Sequence, residues 1–148
     1  IAQALDAMRA GDHRGALALV EAARQWPERL GAGKPYPADV DESIEDAIQW
    51  RVLTRAGRAA DARGPLARLR TASPARTGAG RLAAALALRD AGLREEAGAV
   101  LANWANDETD SALADWGRGV FAGVPVALPR SVAGTDLYAL VDRLATAR

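Results

Sequence analysis

Ten arginines fall between Arg51 and Arg94, against two acids, Asp61 and Asp90. Arg51, Arg55 and Arg58 are spaced i, i+4 and i+7, so a helix through this segment presents them along one stripe. A guanidinium holds a carboxylate or phosphate through two parallel hydrogen bonds, so such a stripe can select an acidic group on a partner. The same side chains equally make a solvated face, with stems over apolar surface and heads paired with nearby acids. Acids for that role are at hand. Asp39, Asp41, Glu42, Glu45 and Asp46 cluster just before the stripe, and 95–117 carries six acids with no base. The 19 basic and 19 acidic residues cancel overall but are segregated along the chain, and such asymmetry steers charged partners.

Other chemistry is scarce. His13 is the single histidine, in a turn beside Asp12, and no second histidine completes a metal site. The absence of cysteine excludes disulfides, thiolate zinc and a cysteine nucleophile. Paired acids such as Glu45/Asp46 and Glu95/Glu96 diverge by about 100° on a helix and read as helix-start charges. Trp26, Trp50, Trp104 and Trp116 can stack on sugars or peptides, but their apolar neighbours favour the core. The Gly-Ala-Gly-Lys run at 31–34 lacks both the preceding strand and the Lys-Ser/Thr pair of a phosphate loop. Tyr36, in the same turn-rich stretch, is the exposed aromatic expected to touch a partner. No catalytic residue, metal or cofactor is expected. A zero net charge argues against nucleic acid, and no apolar run approaches the roughly 18 residues of a membrane span.

The elements that position these residues are helical. Of 148 residues 36 are Ala, and Leu and Arg are also frequent, so local preference is helical almost throughout. The length fits a single domain, and an opening at Ile1 inside a helical run points to a piece of a longer chain. The expected architecture is all-α, with about eight helices. Hairpins span about 2–26, 43–72 and 74–106, followed by helices at about 110–121 and 135–147. Asp61 is the expected N-cap of the fourth helix, which places Pro65 in its first turn. Ser73-Pro74 reads as the start of the fifth. Residues 123–129 read as extended, with Val124, Val126 and Leu128 pointing one way.

Three of these helix pairs share a turn: Ala10-Gly11-Asp12, Ala56-Gly57-Arg58 and Ala91-Gly92-Leu93. Five residues after each Gly stands an alanine, Ala16, Ala62 or Ala97. Four further on stands Val20, Leu66 or Leu101, and three beyond that Ala23, Leu69 or Trp104. Gly permits the reversal, the small alanine lets antiparallel helices approach, and larger residues fill the space between hairpins. The glycines lie 46 and 35 residues apart, and an 11-residue insertion at 31–41 restores a regular period. This pattern resembles the tetratricopeptide repeat over about residues 1–107, with Pro74 where that family often ends a second helix. The large aromatic usual in the first helix is missing from the third hairpin, while Trp50 can serve in the second.

The resemblance implies an α-α superhelix whose first helices line a concave groove, with basic side chains there holding a partner's carboxylate. Arg51, Arg55 and Arg89 fall at such groove-facing positions. The function expected on this ground is a non-catalytic scaffold that docks a protein or peptide, acidic or with a free carboxylate. The alternative is an accessory domain of a bacterial envelope enzyme or exporter that binds polysaccharide or peptidoglycan, and exposed aromatics along the groove would favour it. The compartment, cytoplasm or periplasm, is left open by the sequence.

Overall fold

Glycine sets the reversals. Gly11, Gly57 and Gly92 all adopt a left-handed backbone, with φ of 78°, 72° and 82°. Each is enclosed by the same pair of hydrogen bonds. The N–H after the glycine reaches back five residues (Asp12 to Ala7, Arg58 to Leu53, Leu93 to Leu88, at 2.8–2.9 Å). The glycine N–H itself donates three residues back, to Met8, Thr54 and Arg89. This is a Schellman closure, which satisfies the last carbonyls of one helix and turns the chain directly into the next.

The computed structural model describes residues 1–25, 40–71, 76–130 and 136–147. Those residues form eight helices and no strand, an all-α fold: α1 (Ala2–Arg9), α2 (His13–Ala23), α3 (Ser43–Arg55), α4 (Ala59–Arg70), α5 (Gly78–Asp90), α6 (Arg94–Asp107), α7 (Ser111–Ala122) and α8 (Asp136–Thr146). The helices pair as α1 with α2, α3 with α4 and α5 with α6. Each second helix then leans on the first helix of the following pair, α2 on α3, α4 on α5 and α6 on α7. The first helices also touch one another, α1 on α3 and α3 on α5.

The matched alanines are at the contacts. Ala16, Ala62 and Ala97 are all buried, as are Val20, Leu69 and Trp104. Leu66 and Leu101 are half-buried, and Ala23, which closes α2, is exposed. In α5 every residue from 82 to 88 is buried. A helix apolar around its whole circumference must be covered on every side. Its coat is α3, α4, α6, α7 and α8.

Two helix starts differ from expectation. The fourth helix begins at Ala59 behind Arg58, so Pro65 sits in its interior rather than its first turn. Asp61 instead pairs with Arg58 at 2.7 Å. Pro65 is buried, and its ring removes the donor that the carbonyl four residues earlier would use. The fifth helix starts at Gly78, not at Ser73: Thr77 is the N-cap, its hydroxyl accepting from the Gly80 N–H at 3.0 Å. Thr77 is fixed in turn by Asp41, whose Oδ2 accepts from both its N–H and its hydroxyl at 2.7 Å. Ser73, Pro74 and Trp26 lie outside the described residues.

After α7 a fourth left-handed glycine, Gly123, releases the chain into a strap without regular secondary structure, 124–129. Val124 and Val126 are exposed there, while Leu128 packs on the core.

Candidate functional site

The helix α8 lies on the face made by α1, α3 and α5, and it also touches α7. Its direction follows from its ends. Near its start, Tyr138 stands over the beginning of α5, so close that a Cβ on Gly78 would lie 2.4 Å from its hydroxyl. Leu137 and Leu140 border a small cleft with Ile1, Ile44 and Thr77, at the starts of α1, α3 and α5. Its last turn meets Arg9, Arg51 and Arg55, at the ends of α1 and α3. All four helices therefore run the same way. Parallel packing brings four negative dipole ends together, each carrying about half an elementary charge, so cations are needed there.

The arginines supply them. Arg51 on α3 is only 7% exposed. Its Nη2 pairs with Asp90 Oδ2 at 2.6 Å, and its Nη1 donates to the carbonyls of Leu144 in α8 and of Ala147 just beyond it. Arg55, one turn on, donates to the Ala147 carbonyl at 2.7 Å. Arg89 at the end of α5 grips Asp90 Oδ1 through Nε and Nη2, at 2.9 and 2.6 Å. Its Nη1 caps the end of α7 at the carbonyls of Val120 and Phe121, and its guanidinium lies 5.5 Å from the centre of the Phe121 ring. Burial pulls the pKa of Arg51 down against the opposing effect of Asp90. An arginine starts so high that it stays charged.

Three residues named from the sequence are thus brought to one end of the face: Arg51 and Arg89 share Asp90, and Arg51 and Arg55 share the Ala147 carbonyl. What they hold is the chain's own helix ends. Arg58 does not join them: α3 stops at Arg55, Gly57 reverses the chain, and the i, i+4, i+7 stripe is cut short. Tyr36 lies outside the described residues. Reasoning from sequence missed Arg9, whose Nη2 donates to the Arg143 carbonyl at 2.8 Å and the Thr146 hydroxyl at 3.1 Å. It also missed the Arg143–Asp6 pair that ties α8 to α1. The available signal was the apolar series Val141, Leu144 and Ala147, all buried, which needed a face to lie on.

Much of the remaining charge is internal to the fold. Asp46, buried in α3, accepts from Arg24 at the end cap of α2 at 2.5 Å and from Arg68 of α4 through Nε and Nη2 at 2.8–3.0 Å. It thereby clamps three helices. Arg70 pairs with Glu96 and Arg81 with Asp107, joining the basic and acidic halves of the chain. Burial alone would raise the Asp41 carboxyl, but hydrogen bonds from Ser43 and Thr77 outweigh it and hold the group below its usual value. Burial pushes Glu45 up, with Arg24 only partly offsetting it. Trp50, Trp104 and Trp116 are core residues, the last two almost fully enclosed. Trp116 packs edge-on against Tyr138 at 6.0 Å between ring centres. Among the described residues, no helix is long and apolar enough to cross a membrane.

Comparison of the chain with protein-family models, with curated proteins and with solved structures gives no match.

Proposed function

We propose that this chain is a non-catalytic scaffold, a helical-repeat module of the tetratricopeptide kind that docks a protein segment on the face of α1, α3 and α5. The observation that carries this reading is the arginine group at one end of that face, Arg9 from α1 with Arg51 and Arg55 from α3, directed at main-chain acceptors of a helix laid along it. The three identical glycine turns and the buried alanines behind them support serial stacking of like hairpins. The polysaccharide alternative draws no support from Trp50, Trp104 or Trp116, whose rings are packed inside rather than offered for stacking.

The test is selection of peptide segments from a displayed library on the immobilised full chain, followed by hydrogen exchange of the selected complexes. Enriched segments should slow exchange in α1, α3 and α5, and Arg55→Ala should weaken them and flatten their salt dependence. Failure to enrich any segment over a blank surface refutes the scaffold reading.

A further inference from the structure

We propose that the α1–α3–α5 face is a receptor for an amphipathic helix of a partner protein. That helix docks parallel to α1, α3 and α5 with its last-turn carbonyls on Arg51 and Arg55, and α8 fills the place in cis until such a helix displaces it. The inference rests on the scaffold reading and specifies its ligand: a helix, not an extended peptide.

The chemistry of the anchor points to a helix end. Among the described residues, the hydrogen bonds from Arg51 and Arg55 to this end of the chain go to the carbonyl oxygens of Leu144 and Ala147, and Arg9 reaches the carbonyl of Arg143 and the Thr146 hydroxyl. Any helix presents carbonyls with spare acceptor capacity in its last turn. The central donor is also set without help from α8, because Asp90 on α5 holds Arg51, with Arg89 on its other oxygen. Charge complementarity therefore selects a class of ligand, the negative end of a helix dipole, rather than one sequence.

The grip on α8 is lighter than that on the inner helices. Val141, Leu144 and Ala147 are buried and Tyr138, Leu140 and Ala145 pack half-buried on the core, against nine buried residues in α3 and nine in α5. Leu137, which would extend the apolar series by a turn, is 46% exposed. Along its other flank α8 borders an open cleft of about 610 Å³, between Asp142, Ala145 and Thr146 and the strap at 123–127. A partner helix with a longer apolar series would bury more on the same floor. Tethering gives α8 a high effective concentration, so an outside helix binds the intact chain at an affinity reduced by the fraction of time the face is free.

The experiment uses the full chain carrying Leu144→Asp, which puts a charge at the centre of the cis contact and leaves the arginines in place. The probe is a fluorescent peptide with the sequence of residues 136–148, read by anisotropy. Expected is binding at least about tenfold tighter to the variant than to the unaltered chain. A further Arg55→Ala should cost up to about fivefold, and a scrambled peptide should not bind. Amidated and free-acid peptides should bind alike, because main-chain carbonyls rather than a terminal carboxylate are held; loss of binding on amidation overturns the proposal. If the variant loses its helical circular dichroism, recovery of that signal on adding peptide supports the receptor. Loss without recovery shows α8 to be an obligate part of the core, and the proposal fails. A concentration-dependent dimer that the peptide does not dissolve would assign the place to a second copy instead, and also overturns it. Should this peptide fail while library segments still protect α1, α3 and α5, the scaffold stands and the helix receptor falls. If neither binds, both fall.

Discussion

Replacing Arg51 by Ala tests the physical core of the site. Three interactions disappear together: the ion pair to Asp90 and the hydrogen bonds to the carbonyls of Leu144 and Ala147. Two losses are cushioned, since Asp90 keeps Arg89 and Ala147 keeps Arg55. The Leu144 carbonyl loses its cationic donor and is left with the Ala147 N–H at 3.3 Å, so its loss lies toward the lower part of the roughly 1–3 kcal/mol of an unpaired acceptor. Breaking a buried pair from one side costs about 3–5 kcal/mol when nothing compensates, and here part is recovered because Arg51 no longer has to be desolvated. The expected net loss is about 3 kcal/mol, which for a chain of this size lowers Tm by roughly 6–12 °C. Arg55→Ala, at an exposed position with one bond to α8, should cost no more than about 1 kcal/mol. Urea and thermal melts on both variants give the comparison. A loss below about 1 kcal/mol for Arg51→Ala, or equal losses for the two, would show that the helix ends do not depend on this cation.

Further outcomes follow from local geometry. At Gly98 an added Cβ meets nothing within 4 Å, so Gly98→Ala should raise stability by about 1 kcal/mol through helix propensity, a gain that urea melts would show. At Gly117 the same atom would lie 2.2 Å from the ring of the buried Trp104, so Gly117→Ala should cost about 1–3 kcal/mol and perturb tryptophan fluorescence. Gly57 also has open space around it but holds φ of 72°, so Gly57→Ala should cost about 1–2 kcal/mol from the backbone alone, in contrast to Gly98. Glu45 has a folded pKa raised above 4.5, chiefly by burial, so its contribution is present in acid and is lost as pH rises through that pKa. Glu45→Gln should therefore raise Tm at pH 7 and converge with the parent below pH 4.5; a lower Tm at pH 7 would refute the sign.

The hairpins were legible because their turns are written locally. A glycine followed at fixed distance by alanine is enough to set a Schellman closure and the packing behind it, as at Gly57 and Ala62. The starts of α4 and α5 were not, because the deciding contacts are distant in sequence. Thr77 caps α5 with Asp41 holding it, 36 residues away. Pro65 is carried inside a helix that buries it. The gathering of Arg51, Arg55 and Arg89 was foreseeable from helical spacing and the repeat. Their acceptors were not, since main-chain carbonyls leave no mark in a sequence, and the short apolar series of α8 gives no address.

In the strap at 124–129 Val124 is 53% exposed while Val126 leans on α7 at Gly119, and among the described residues no strand lies beside it, so its main chain is of the kind onto which a second chain can zip. Pro125 and Pro129 bracket the segment, and neither offers an N–H. A neighbour aligning there would find its hydrogen-bond ladder missing rungs at both ends, so the greasy edge is tolerable at high concentration without a charged gatekeeper in its middle.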